Sequence, residues 1–277
     1  MASEGSNPIR YKRFRSGLWE TIDAGIVIEK PVSLSVNGQV WLTFMCTPSH
    51  LEALAVGFLF NESVINSSND IASVKLCANR ENIDVWLNFS VEEPKDWRRT
   101  SGCTGGFTSV KTQHNTAPIM NGYVISPQKI INLVSDLFEK QQIYRHVGGV
   151  HTSILCDGED TFIMAEDIGR HNTLDKIAGR YILEQVKFKN KILITTGRVS
   201  SEMLQKAAKI KSSIVISRTS PSSLSVDMAC KSGITLVGYA RRDRFNIYTY
   251  PERIVSTDHS NDFCEGIKIP DTKSNGY

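Results

Sequence analysis

Between residues 191 and 239 the chain repeats one unit: a short Ile/Val-rich run, a polar cluster, then a stretch with helical period. Residues 191–195, 213–217 and 234–239 read as strands. Residues 200–210 read as a helix with Met203, Leu204, Ala207 and Ala208 on one face, and residues 222–231 as a second helix. Strands joined through helices can lie side by side only as crossovers, so the repeat predicts βαβ units and a mostly parallel sheet. Upstream, 126–142 is helical with Pro127 suited to the first turn, and 172–184 is helical with Leu174, Ile177, Ala178, Tyr181 and Ile182 on one face. Residues 151–156 and 161–166 flank Asp157-Gly158 as a hairpin, and 245–250 adds one more strand.

The first third is patterned differently. Residues 22–47 alternate apolar and polar around Asn37-Gly38, a strong short-range hairpin signal. Ser49 stands where it can cap a helix carrying Leu51, Leu54, Ala55, Phe58 and Leu59 on one face, and strands are expected at 73–78 and 82–89. Residues 92–118 have no period and are polar, Gly-rich and basic in the middle, which marks a functional or disordered connection. We therefore expect a β-rich N-terminal domain over 1–118 and an α/β domain over 119–277 with a loose polar tail.

Composition excludes several classes. With 32 Lys plus Arg against 29 Asp plus Glu, the net charge of +3 argues for no nucleic-acid partner. The longest strongly apolar stretch, 51–60, is half of what a bilayer crossing needs, and Glu52 interrupts it, so no membrane partner is expected. Residues 1–17 carry charge but no apolar signal segment and read as a flexible polar arm. The six cysteines form no CxxC or CxH pair, which argues against a zinc knuckle or a disulfide scaffold and for reduced thiols in the cytoplasm.

Three constellations carry chemistry. The first is a repeated strand end. Arg170, His171 and Asn172 follow one strand, Arg198 and Ser200 the next, and Arg218, Thr219, Ser220 and Ser222 the third, with Arg241, Arg242 and Arg244 after the last. Helix N-termini donate N–H groups and guanidinium groups grip phosphate bidentately, so this sheet edge suits a phosphate-rich ligand. The second is Cys103, set between glycines with Arg98, Arg99 and Lys111 nearby to favour the nucleophilic thiolate. An incidental surface cysteine is the plain alternative, and the other five cysteines read as packing residues or bystanders. The third is His151 with His171, near Glu166, Asp167 and Asp175, which suits hydrogen bonding to ligand or backbone as well as it suits a metal. We assign no metal there. Zinc deaminase chemistry is excluded, because His151 begins no HxE and no PCxxC exists.

Long ordered blocks then carry a family resemblance: TPSHLEALAVGFLFNESVI, VGGVHTSIL, EDIGRHNTLDKIAGR, TTGRVSSEMLQKAAKI, SRTSPSSLSVDMA and GITLVGYARRDRFNIYTY. The chain resembles the formate dehydrogenase accessory sulfurtransferases, the FdhD family, over residues 29–250. The resemblance implies a cytidine-deaminase-like three-layer α/β/α domain plus a smaller β-rich N-terminal domain. It also implies a sulfurtransferase, a persulfide carrier that takes sulfur from a cysteine desulfurase and passes it to Mo-bis-molybdopterin guanine dinucleotide before insertion into formate dehydrogenase. Cys103 would be the carrier. Phe245, Asn246, Ile247, Tyr248, Thr249 and Tyr250, with Arg170, His171, Arg198, Arg218 and Ser220, would hold the guanine dinucleotide cargo. A homodimer is implied as well. Many members have CxxC at the carrier position, whereas this chain has Cys103-Thr104-Gly105-Gly106, so only the first cysteine carries over. The alternative expectation is a non-catalytic chaperone for the molybdenum cofactor, and a nucleotide hydrolase using His171 is a third.

Overall fold

A computed structural model of the chain describes residues 5–94, 118–119, 123–159 and 161–255, together with the backbone of 97–99 and 107–109. The chain opens with β1 (Ser6–Arg15) and β2 (Leu18–Val27), paired antiparallel along their whole length. The expected flexible arm is therefore a hairpin. Ser16 and Gly17 both take positive φ, 51° and 84°, the tight turn whose twist matches the strands it joins. Nearly every residue of β1 and most of β2 is exposed, so the only apolar alternation in the hairpin is the stretch from residue 22 noted above.

A four-stranded sheet follows in the order β4-β3-β6-β5, from β3 (Lys30–Val36), β4 (Gln39–Cys46), β5 (Ile71–Leu76) and β6 (Asn82–Leu87). Asn37 and Gly38 make the expected turn between β3 and β4, with φ of 50° and 81°. Between β4 and β5 lies α1 (Leu51–Asn61), which departs from expectation twice. It is buried nearly all round rather than on one face, and its N-cap is His50 in the left-handed region, not Ser49. Both follow from its place between the sheet and a second helix, described below. The backbone of 97–99 and 107–109 forms a small antiparallel pair, β7 (Trp97–Arg99) and β8 (Phe107–Ser109).

The larger half begins with α2 (Pro127–Lys140), capped by the Ser126 hydroxyl, which accepts from Lys129 N at 3.2 Å. The short α3 (Ile143–Val147) had no sequence signal, because its cap comes from far away. The Glu166 carboxylate accepts the N–H groups of Gln142, Ile143 and Tyr144 at 2.9, 2.7 and 3.1 Å. Then come β9 (His151–Cys156), β10 (Phe162–Asp167), α4 (Arg170–Leu183), β11 (Ile192–Thr195), α5 (Ser201–Lys209), β12 (Ile214–Ser217), α6 (Ser223–Ser232), β13 (Thr235–Gly238) and β14 (Asn246–Ile247). The strands form one sheet in the order β10-β9-β11-β12-β13-β14.

That sheet is mixed, not mostly parallel. Only β11, β12 and β13 run parallel, joined by the crossovers α5 and α6. The hairpin at Asp157-Gly158 makes β9 and β10 antiparallel, β9 pairs antiparallel with β11, and β14 returns without a helix and must also run antiparallel.

Both faces of the sheet are covered, and residues along each strand alternate between two cores. Leu155, Leu193, Val215 and Leu236 point to a cluster with α4, α5 and α6, while Ile154, Ile194, Ile216 and Val237 meet Ile130, Leu133, Val134 and Leu137 of α2. This is the expected three-layer α/β/α arrangement with a smaller β-rich N-terminal part. The first cluster continues through Leu54 and Phe58 of α1 to Val32, Leu34, Phe44 and Val85 of the four-stranded sheet. Backbone meets backbone where α1 crosses α4. A Cβ on Gly57 would stand 1.7 Å from Asp175 O, and one on Gly179 would stand 1.8 Å from Ala53 O.

A buried ion pair fastens the same seam. Lys176 Nζ lies 2.6 Å from Asp167 Oδ2, both side chains fully buried, and also donates to Thr47 O and Ser49 Oγ. Ser49 thus serves this contact instead of the helix cap. Among the described residues no helix is long and apolar enough to cross a membrane.

Candidate functional site

Strand direction collects the polar loops. β9 opposes β11 and β10 opposes β9, so the start of β9, the end of β10 and the ends of β11, β12 and β13 share one sheet edge. His151, Arg170, His171, Thr196, Arg198, Arg218 and Tyr239 are therefore brought together from sequence positions nearly ninety residues apart.

Asp167 builds the first wall. Its Oδ1 accepts Gly169 N at 2.7 Å and Asn172 Nδ2 at 2.9 Å, and its Oδ2 accepts Thr47 N at 3.1 Å beside Lys176. With every acceptor engaged, Asp167 orders the loop that presents Arg170 and His171 on the first turn of α4. Arg170 is buried and lies flat against Gly197, where a Cβ would come within 3.0 Å of Arg170 Cβ and 3.6 Å of His151 Nδ1. Glycine is needed there for close approach, not for its φ.

The other loops are tied to one another. Ser217 Oγ donates to Gly197 O at 2.8 Å and accepts Thr219 N at 3.0 Å. Val199 and Ser222 exchange backbone bonds with the 220 and 199 positions, Tyr239 N donates to Thr219 O, and Arg241 Nη1 donates to Arg218 O at 2.9 Å. Ser200 and Ser222 cap α5 and α6 with their own hydroxyls, accepting Met203 N and Ser225 N. No side chain caps α4, whose N-cap is Gly169.

The electrostatics favour an anion. Burial, then Lys206, Arg170 and His151, push the His171 imidazole down to about 2, so it is neutral at physiological pH. Among the described residues neither of its buried ring nitrogens has a hydrogen-bond partner. Lys206 is itself held by Asp175 at 2.7 and 2.6 Å, with Asn61 Nδ2 donating to the same carboxylate. His151 is lowered by burial and by Arg170. Burial and then Arg241 lower Arg218, whose buried Nε also lacks a partner among the described residues. The nearby carboxylates Glu166, Asp167 and Asp175 are spent on helix caps and lysines, and among the described residues no carboxylate lies within ion-pair distance of Arg198, Arg218 or Arg241. Among the described residues no cluster of three or more His, Cys, Asp or Glu side chains is placed to hold a metal.

The 245–250 block divides. Asn246 pairs with Gly238 at the edge and lines a cleft of about 300 Å3 with Tyr239, Arg241 and Arg244. The Tyr248 ring packs against Gly238, where a Cβ would stand 2.9 Å from it, and Phe245 packs on the second core. Exposed Ile247 pairs with Val237. Thr249 is buried and serves the fold, donating to Ile234 O at 2.6 Å and accepting Leu236 N at 2.9 Å. Tyr250 donates from its hydroxyl to Cys230 O, at the far end of α6. The structure thus gathers Asn246 with the arginines and sends Thr249 and Tyr250 to the opposite end of β13. Ser220 stays in the rim loop.

Two site residues had gone unremarked. Tyr239 is exposed with φ of 52° and directly follows β13, the position Thr196 and Arg218 hold after their strands, so the repeat itself pointed to it. Phe138 of α2 lies under the Arg218 guanidinium at 4.2 Å, and no local signal marks it. Cys103 and Gly106 lie outside the described residues.

The chain is similar to known proteins along most of its length. It is 39% identical over 251 residues to a protein of Bacillus pumilus (strain SAFR-032) named sulfur carrier protein FdhD, covering 87% of this chain and 95% of that one. A protein of the same name from Staphylococcus aureus (strain MRSA252) is 36% identical, covering 92% and 98%. A crystal structure described as a formate dehydrogenase accessory protein, from Desulfotalea psychrophila, superposes with a TM-score of 0.77 at 30% identity, covering 90% of this chain and 99% of that one. The model of the FdhD/NarQ family matches residues 27–255, and with that match the chain belongs to the FdhD/NarQ family.

Proposed function

We propose that this protein is a sulfur carrier in formate dehydrogenase maturation, moving sulfur on Cys103 from a cysteine desulfurase to the molybdenum of bis-molybdopterin guanine dinucleotide. The observation that carries the cargo half is the trio Arg198, Arg218 and Arg241 on the sheet edge, with no carboxylate in ion-pair distance and buried ring or guanidinium nitrogens on His171 and Arg218 that have no partner among the described residues. A dinucleotide cargo brings pyrophosphates, which accept from guanidinium groups and from the uncapped first turn of α4. The names of the relatives support the sulfur half. The family resemblance adds a homodimer acting in the cytoplasm.

The loading step balances without an external oxidant. The Cys103 thiolate attacks the outer sulfur of the desulfurase persulfide, its S–S bond breaks, and the desulfurase cysteine leaves as thiolate. Cys103–S–SH results, and the carried sulfur keeps its oxidation level. The two buried cysteines among the described residues suit this role less well. Burial raises Cys46 to about 12 and Cys156 to about 11, which keeps both protonated.

Intact-mass measurement after incubation with a desulfurase and cysteine tests the reading. One added sulfur on the wild type and none on Cys103→Ala is expected. If the wild type gains no sulfur from an active donor yet still binds guanosine diphosphate, the protein is a cofactor chaperone instead.

A further inference from the structure

We propose that the β1–β2 hairpin is a tip-first docking element for an anionic lipid surface. It goes beyond the carrier reading, does not depend on it, and departs from the expectation of no membrane partner, which rested only on the lack of a segment long enough to cross a bilayer. Each strand has 10 residues, a span of roughly 33 Å, and the root is packed, with Gly25 against Val147 of α3. The tip is the opposite. Phe14 is 60% exposed and Leu18 and Trp19 are each 70% exposed, gathered around the Ser16-Gly17 turn. An isolated two-stranded hairpin is marginal in water, and exposed apolar groups gathered in this way mark a contact surface.

Register decides which kind. Phe14 pairs with Trp19, their rings 5.2 Å apart, while Arg15 pairs with Leu18 on the opposite face. Lys12 shares the face of Phe14, and Arg13 shares the face of Leu18 opposite Glu20, so three cations stand against one carboxylate near the tip. Apolar groups and cations therefore ring the tip on both faces. A docked protein covers one face of a ribbon, whereas a headgroup layer surrounds an inserted tip. Charge agrees with this choice. Arg10 is neutralised by Asp23 at 2.6 Å. Lys12 and Arg13 hydrogen-bond neutral groups, Thr21 and Tyr11, and among the described residues neither they nor Arg15 has a carboxylate within ion-pair distance. Aromatic rings at headgroup depth with basic side chains behind them are the elements of interfacial binding to acidic lipid.

The test is co-sedimentation of the full chain with phosphatidylcholine vesicles, with and without phosphatidylglycerol. Binding only to the phosphatidylglycerol vesicles is expected, weakened by salt. It should fall at least about tenfold when Phe14, Leu18 and Trp19 are changed together to Ser, and likewise when Lys12, Arg13 and Arg15 are changed to Gln. Far-UV circular dichroism and urea midpoints of both variants should stay close to wild type, since these side chains are exposed. Failure of the wild type to bind acidic vesicles overturns the proposal, as does unchanged binding by the serine variant. A serine variant that loses concentration-dependent self-association in a protein that ignores vesicles assigns the tip to a second copy instead.

Discussion

Arg218 holds its guanidinium 4.2 Å above the ring of Phe138, so the cation at the end of β12 is stacked on a helix from the other side of the sheet. Stacking fixes the plane of the fork and buries Nε, leaving its outer nitrogens to meet a ligand. Arg218→Ala is expected to weaken guanosine diphosphate binding by roughly 1.5–3 kcal/mol, and Arg198→Ala by a similar amount. Arg218→Lys should rescue little, because an ammonium neither stacks flat nor bonds bidentately. Calorimetry with unchanged affinity in both alanine variants would remove the nucleotide from this edge.

The parts of this site that were legible in the sequence are the ones with local causes. Ser126, Ser200 and Ser222 cap helices through their own hydroxyls, and Asn37-Gly38 turns a hairpin through its own φ preference. What escaped has distant causes. α3 is started by Glu166, the role of Ser49 is taken by Lys176, and Phe138 meets Arg218 across 80 positions. The β1 strand and the tip of the hairpin were hidden because both their faces meet solvent, so apolar rhythm begins only in the second half of β2.

Protonation of His171 gives a stability prediction with a definite sign. Its folded value is about 2 against 6.5 for the free side chain, so the unfolded chain binds the extra proton as pH falls through 6.5. The contribution is fully present above 6.5 and is lost toward acid at roughly 1.4 kcal/mol per pH unit, levelling only near the folded value. His151 adds loss of the same sign. Urea midpoints of wild type and His171→Gln should therefore draw together, with wild type losing ground, between pH 7.5 and pH 5. Parallel pH profiles in the two proteins would mean that His171 is not held neutral.

The crossing of α1 and α4 tolerates no side chain at its centre. With carbonyl oxygen 1.7 Å from a Cβ on Gly57, alanine there must push two buried helices apart, and Gly179 faces the same limit. Each Gly→Ala change should cost more than about 4 kcal/mol, beyond the usual range for a point substitution, despite alanine's better helix propensity. Chemical denaturation reads the loss, and a neutral or stabilised Gly57→Ala protein would show that the helices do not touch.

The missing second cysteine at Gly106 bears on how long a persulfide survives. In a CxxC pair the second thiolate attacks the inner sulfur, forms an internal disulfide and releases the carried sulfur as sulfide. This chain has no such partner in the motif, and the buried thiols of Cys46 and Cys156 are held protonated well above physiological pH. Of the described cysteines, that leaves half-buried Cys77 and exposed Cys230 as candidates for a resolving attack. The Cys103 persulfide should accordingly persist until an acceptor arrives. Restoring the partner as Gly106→Cys makes the attack intramolecular, at an effective concentration far above that of any free thiol, so the loaded sulfur should be lost faster. Both proteins are loaded with labelled sulfur, the donor is removed, and retained label is followed with time. Faster loss from Gly106→Cys, with sulfide and an internal disulfide as products, is the expected result. Equal retention would show that the position is mechanistically silent. Rapid loss from wild type that slows in Cys77→Ser or Cys230→Ser would identify a resolving thiol outside the motif.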